Sequence, residues 1–295
     1  MNAAAARIDR LACAALAREV ALEGKPGLVT PTVRGSHADM DHRTFTASIA
    51  ALQGYFGDCV VLGAAGAAFA ALQARGREAE RAMFAATGGI NTHKGAVFTL
   101  GLLCAAAGWQ LADAGRLAPH GLGEVVAQRW GTAILAAGQG AGPEVNATHG
   151  ARLRRAAGLQ GAREQAAAGF PVLFEVTLPQ LHAASRRAEP PSAGALHALL
   201  ATIAVLPDTN LAHRGGLAGL AWAQREAQAF LDRGGLAAAD GAVALDALCG
   251  AFVERWLSPG GSADLLAAAW MLQDMAVFAR QDDGRTGSVR QRVAA

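Results

Sequence analysis

Two aspartates, Asp39 and Asp41, stand two residues apart in the loop Gly35-Ser36-His37-Ala38-Asp39-Met40-Asp41, just ahead of a predicted helix. Carboxylates at that spacing can converge on one divalent ion, and Mg²⁺ is usually held by one or two carboxylates together with substrate phosphates. The alternative is that Asp41 caps the helix while Asp39 stays solvated. A second loop, Thr87-Gly88-Gly89-Ile90-Asn91-Thr92-His93-Lys94-Gly95, puts two glycines before a helix start and His93 and Lys94 in its first turn. Backbone N–H groups at a helix N-terminus attract anions, and glycines let a phosphate approach the backbone. Basic side chains there oppose the helix dipole, so anion binding would give them a reason to be present. An ordinary turn with an exposed lysine is the alternative. The Gly–Lys–Ser/Thr order of a Walker loop is absent.

A third region holds Thr148-His149-Gly150, then Gly161-Ala162-Arg163-Glu164 and Gly169-Phe170-Pro171. Arg163 can clamp a phosphate bidentately, and Glu164 can act as a base or metal ligand. Both also fit the exposed first turn of a helix. The fourth is Asp208-Thr209-Asn210-Leu211-Ala212-His213-Arg214-Gly215-Gly216, again basic residues and glycines at a helix start. A related start follows at Ser258-Pro259-Gly260-Gly261-Ser262-Ala263-Asp264, where Ser262 or Asp264 can simply cap. Together these starts point to a site for more than one phosphate. Asp39, Asp41 and Asp208 then read as ligands of a Mg²⁺ ion bridging those phosphates.

The elements that must position these loops are helices. Hydrophobic residues make up 52% of the 295-residue chain, mostly Ala and Leu, and aromatics only 5%. That bias favours helix over strand. Helices are predicted at Ala3–Leu22, from Thr44, at Leu62–Arg75, Arg77–Ala86, Thr92–Ala114 and Leu122–Ala137. Further ones are predicted at Pro143–Ala157, Ala162–Ala168, Pro171–Arg187, Ser192–Val205, Gly216–Asp232, Ala242–Trp256 and Ser262–Ala279. The reading is one all-α, compact multi-helix domain over residues 1–280, with Gly-rich loops at helix N-termini forming the site and a polar, flexible tail at 281–295.

Two apolar stretches, Cys59–Ala74 and Ala96–Ala112, fall short of the roughly 20 residues of a membrane span and read as buried core helices. Cys13, Cys59, Cys104 and Cys249 form no close pair, which favours buried free thiols and a reducing, cytoplasmic location over a metal or disulfide framework. A formal net charge of +2 gives no argument for nucleic-acid binding. The five tryptophans read as core or interface residues.

At these loops the chain resembles the triphosphoribosyl-dephospho-coenzyme A synthases. The resemblance rests on Lys25-Pro26-Gly27-Leu28-Val29 with the Gly35–Asp41 loop, and on Gly88-Gly89-Ile90-Asn91-Thr92-His93-Lys94-Gly95. Gly161-Ala162-Arg163-Glu164, Asp208-Thr209-Asn210, His213-Arg214-Gly215-Gly216 and Ser258-Pro259-Gly260-Gly261 complete it, in order over most of the chain. Gly35-Ser36-His37, where the citrate lyase branch tends to have Gly-Ala-His, is similar to the malonate decarboxylase branch. Pro207 departs from the family, which often has a second acid before Asp208, and this weakens a paired-acid metal site there.

The resemblance implies an all-helical transferase that takes ATP and 3′-dephospho-coenzyme A. Adenine leaves C1 of the ATP ribose and the 2′-hydroxyl of the dephospho-coenzyme A adenosine replaces it. The product would serve the acyl-carrier subunit of malonate decarboxylase through its holo-protein transferase. Neither membrane nor nucleic acid is involved, and the oligomeric state stays open, a homodimer included.

In that chemistry Mg²⁺ on Asp39, Asp41 and Asp208 would hold the triphosphate, with Lys94, His93 and Arg214 neutralising it. Lys25, Gly88, Gly89, Asn91 and Arg163 would bind substrate, as would Asn210, Gly215, Gly260, Gly261 and Ser262. Glu164 and Asp39, with His37 behind them, are the candidate bases, and His213 or His93 would serve the departing adenine. Two other readings use the same residues: a Mg²⁺-dependent nucleotide hydrolase, and a non-catalytic helical binding protein.

Overall fold

The computed structural model describes residues 2–139, 160–186 and 190–293. The predicted helix at Pro143–Ala157 and the Thr148-His149-Gly150 stretch lie outside them. Helix α1 (Asn2–Ala21) turns a stripe of Ile8, Ala12, Ala15, Leu16 and Val20 inward. α2 (His42–Ala51) starts on Asp41, which accepts from the N–H groups of Arg43 and Thr44. α3 (Tyr55–Ala64) is capped from outside by Asp9 of α1, whose carboxylate accepts from Gly54 N at 3.0 Å and Gly57 N at 3.1 Å.

The single helix predicted at Leu62–Arg75 is instead two. α3 ends at Ala64, two residues before Gly66, which takes a left-handed φ of 69°, and α4 runs Phe69–Ala86 through the break predicted at Gly76. A left-handed residue ends a helix, while Gly76 keeps helical geometry beside Tyr55. The apolar bias of Cys59–Ala74 hides that break.

α5 (Lys94–Asp113) is the central element. It is long and apolar enough to cross a membrane by length and composition, and most of it is buried inside the fold. Its contact with α3 is very close. A Cβ at Gly63 would collide with the carbonyl of Ala105, and one at Gly108 with the carbonyl of Val60. Small residues therefore set the spacing of the two helices.

α6 (Leu122–Gln139) and the short α7 (Ala162–Ala167) cover one side. A π turn at Leu173–Thr177 leads into α8 (Leu178–Arg186), and α9 (Pro191–Val205) packs beside it. α10 (Thr209–Asp232) starts about two turns before the predicted Gly216, where the chain kinks instead with a φ of 65°. α11 spans Gly241–Glu254, and α12 (Gly260–Val293) lies across α1 and α5. α12 continues to Val293, past the Gln281 at which a tail is expected.

Trp130 and Trp270 are core residues, whereas Trp256 is 58% exposed with a left-handed φ of 56°. Cys59 and Cys104 are buried, and Cys13 and Cys249 only partly so. Gly63→Val is expected to force α3 off α5 and cost about 1–3 kcal/mol, read as the shift in a urea-unfolding midpoint; an unchanged midpoint would mean the contact has slack.

Candidate active site

Four helices begin around one cleft. Lys94 and Gly95 of α5, Ala162 and Arg163 of α7, Thr209 and Asn210 of α10, and Gly260 and Gly261 of α12 all line a cavity of about 550 Å³. The first-turn N–H groups of a helix have no partners within it and carry partial positive charge. Residues from four of the predicted helix starts thus line one cavity, while of the glycines that mark those loops only Gly95, Gly260 and Gly261 do. The glycines of α12 allow the starts to meet: a Cβ at Gly260 would come within 2.9 Å of the Asn210 amide, and one at Gly261 within 3.1 Å of the Asp208 carboxylate.

Several expected ligands are engaged elsewhere. Asp41 caps α2, receives Arg34 at 3.3 Å and does not line the cleft. Asp208 is 1% exposed and accepts from Asn210 N, Ser262 N and Ser262 Oγ at 2.9–3.1 Å, so it caps α10 and α12 at once. Burial still raises its pKa, against those hydrogen bonds. Ser262 is a donor to Asp208 and does not face the cleft. Glu164 turns back on its own helix, accepting from Gly161 N at 2.8 Å, and is not in the cleft.

Lys25 is buried against Glu19, with its ammonium 2.6 Å from both the Glu19 carbonyl and Oε1. Gly88 and Gly89 close the end of α4 in left-handed conformations, with Gly89 N donating to Phe84 O at 2.7 Å; neither lines the cleft. Gly215 fits against Leu257 outside the cleft, where a Cβ would come within 2.6 Å of a methyl carbon.

Asp39, His37, Asn91, His93, Lys94, Arg163, Asn210, His213 and Arg214 do line the cleft. Arg163 also donates to Ile134 O at 3.3 Å, and Lys94 pairs with Glu80 at 3.6 Å. Among the described residues, no three His, Cys, Asp or Glu side chains converge as metal ligands.

Two further acids line the cleft, Glu19, which no motif marks, and Asp264, which the sequence offers only as a cap. Glu19 is buried in α1, paired with Lys25. Asp264 lies against Gly95, where a Cβ would collide with its carboxylate, and accepts from Ala96 N. Asp264 thus caps α5 from another helix. Burial, followed by the nearby Asp208 and Glu19, raises its pKa well above the usual carboxylate range. The remaining first-turn donors of α5 are also largely spent: His93 N on Met83 Sδ and Lys94 N on Asn91 Oδ1. Both acids sit inside helices whose patterns read as plain amphipathic surfaces. Only the long-range packing of α12 on α1 and α5 reveals them.

Residues 5–282 match the family described as CitG, ATP:dephospho-CoA triphosphoribosyl transferase. The chain belongs to this family. It is 40% identical over 277 residues to a probable 2-(5''-triphosphoribosyl)-3'-dephosphocoenzyme-A synthase of Vibrio cholerae serotype O1, covering 91% of this chain and 88% of that one. It is 39% identical over 262 residues to a protein of the same name from Acinetobacter calcoaceticus, covering 89% and 88%. No solved structure matches. As a CitG-family member the chain is a transferase, and family membership implies ATP and dephospho-CoA as its substrates.

Hydrogen bonds decide what the half-buried His37 and the buried His93 of this transferase can do. Arg214 donates to His37 Nδ1 at 2.9 Å, so His37 Nε2 carries the hydrogen toward Ser258 Oγ at 3.0 Å. The Nδ1 lone pair is spent, and burial with the Arg214 charge lowers the His37 pKa to about 4. His37 is therefore a positioning residue and not a base. Arg214 is itself tied to the carbonyls of Ser36 and Trp256. Thr92 donates to Ser48 Oγ at 2.7 Å, which leaves the Ser48 hydrogen for His93 Nδ1 at 2.7 Å. His93 Nε2 then carries a hydrogen, is buried and has no partner among the described residues. Burial, then Lys25, lowers the His93 pKa to about 3, so it is a neutral donor.

Glu164→Gln is expected to keep near-normal turnover, because Gln caps as Glu does; a drop of orders of magnitude would restore Glu164 as a base. The unfolded chain protonates its histidines near pH 6.5, while folded His93 resists to about pH 3. The stability this contributes is full above 6.5 and is lost as pH falls toward 3. Urea midpoints should fall with pH over that window less steeply in His93→Asn than in the parent, and equal slopes would contradict the depressed pKa.

Proposed function

We propose that the cleft transfers the 5-triphosphoribosyl group of ATP to the 2′-hydroxyl of 3′-dephospho-coenzyme A and releases adenine. The observation that carries this is the pairing, in one cleft, of four helix N-termini with two inward acids, Glu19 and Asp264. The N-termini and the cations Lys94 and Arg163 suit an intact triphosphate. The acids suit the positive charge that builds on a ribose ring as its bond to a base breaks. A hydrolase acting at the γ-phosphate has no use for buried carboxylates beside the sugar.

In the step proposed, the C1–N9 bond breaks and adenine takes its electron pair. The acceptor 2′-oxygen forms the new bond to C1 and gives up its proton. Asp264, its carboxyl pushed toward the protonated form, hands a proton to the departing adenine. The Nε2–H of His93 donates to a ring nitrogen and orients it. Glu19, ion-paired with Lys25, faces the cationic ring. Of the expected bases, Asp39 and His37 line the cleft; the His37 Nδ1 is occupied by Arg214, so Asp39, with a side chain 61% exposed, takes the hydroxyl proton. The residues fit a Mg²⁺ ion held by triphosphate oxygens, not by the expected Asp39, Asp41 and Asp208 set; when bound it would neutralise phosphate charge.

We assign the product to the malonate decarboxylase branch, in the cytoplasm. Ser36 supports this reading, since its hydroxyl donates to Leu257 O at 2.7 Å and ties the Gly35-Ser36-His37 turn to the chain before α12. Alanine there, as in the citrate branch, would lose that tie.

Adenine should appear only when both nucleotides are present. Asp264→Asn should lower kcat by about 10²–10⁴-fold while ATP affinity stays near that of the parent. Phosphate release without adenine would overturn the transferase chemistry.

A further inference from the structure

A smaller lobe of about 180 Å³ opens from the main cleft between α4 and α5, sharing Glu80, Lys94, Phe98 and Arg163 with it. Its inner surface is apolar and aromatic, with Phe69, Leu72, Val97 and Phe98 around the ring of Tyr55. The Tyr55 hydroxyl is occupied, donating to Val97 O at 3.0 Å. Gly101 has no room for a side chain beside it, since a Cβ there would collide with that hydroxyl. One amide, Gln73, lines the lobe and forms no hydrogen bond with any described residue. Three cations, Arg77, Lys94 and Arg163, stand around it against the single acid Glu80.

This is the chemistry of a heterocycle slot with a phosphate exit. Pockets for whole drug-sized ligands start at about 300 Å³, so the lobe holds one ring system and not a nucleotide. A glutamine amide can bond both the amino group and the adjacent ring nitrogen of adenine, and flat aromatic walls suit any base. The cations then meet the phosphates that follow the sugar.

The proposed reaction needs two adenine sites. The base that leaves must sit where the acids and the unpartnered His93 Nε2–H can reach it, and those line the main cleft and not the lobe. Resting on the reading of the cleft as the transferase centre, we propose that the lobe binds the adenine ring of the acceptor nucleotide, its amino edge on Gln73 and its diphosphate on Arg77, which lines the lobe alone, while Lys94 and Arg163 at the junction stay with the donor's triphosphate. That arrangement leaves the acceptor ribose at the junction of the two cavities, where its 2′-hydroxyl must be presented.

The test is steady-state adenine release with each nucleotide varied in turn, for the parent chain, Gln73→Leu and Arg77→Gln, each checked for folding by its melting transition. The expected result is a KM for dephospho-coenzyme A raised roughly tenfold in both variants, with the KM for ATP unchanged. A rise in the KM for ATP alone would place the donor's adenine in the lobe and overturn the assignment. Unchanged constants for both would leave the lobe empty and also overturn it. An inactive parent chain would instead bring down the transferase reading on which the assignment rests.

Discussion

An α-helix leaves its first N–H groups without partners, and something outside the helix must satisfy them. In this fold the helices that frame the cleft solve that problem for one another. Asp208, ahead of α10, caps both α10 and α12. Asp264, in the first turn of α12, caps α5. Asp41 and Glu164 cap α2 and α7 locally. The caps lock the starts of α5, α10 and α12 against each other, and the close glycine contacts at Gly95, Gly260 and Gly261 follow from that lock.

This arrangement sets the electrostatics of the cleft. Capping acids quench part of the positive potential at the N-termini, and the cations Lys94, Arg163 and Arg214 restore it at the rim. The inner wall is left with Glu19 and Asp264, one held by Lys25 and the other short of a counter-charge. A basic rim with an acidic interior is what holding a polyphosphate while stabilising a cationic sugar requires. His37 and His93 stay neutral in the same environment, so they hold and orient groups instead of exchanging protons.

The all-helical fold was legible because Ala and Leu dominate and the loops are marked by Gly and Pro. The helix starts were legible as a group, and residues from four of them line one cleft, though most of the glycines that mark them do not. Individual roles were harder to read. Asp41, Asp208 and Glu164 carry the residue types of ligands and bases, yet capping takes them, because a carboxylate beside free N–H groups is already satisfied. Glu19 was invisible because nothing local marks it, and Asp264 was legible only as a cap; their meeting in the cleft comes from α12 lying across α1 and α5. The α3–α4 break was missed because Gly66 sits in an Ala-rich stretch with no polar interruption, so its left-handed φ had no neighbouring turn signal.

The central proposal is that one polyphosphate is held where the four helices start, on Lys94, Arg163 and the N–H groups that the caps leave free. Amide hydrogen exchange with and without Mg·ATP tests it most directly. Slowed exchange at residues 94–97, 162–165, 209–212 and 260–263 in the same titration is the predicted result. Protection at a single start, or none with ATP bound, would contradict the account.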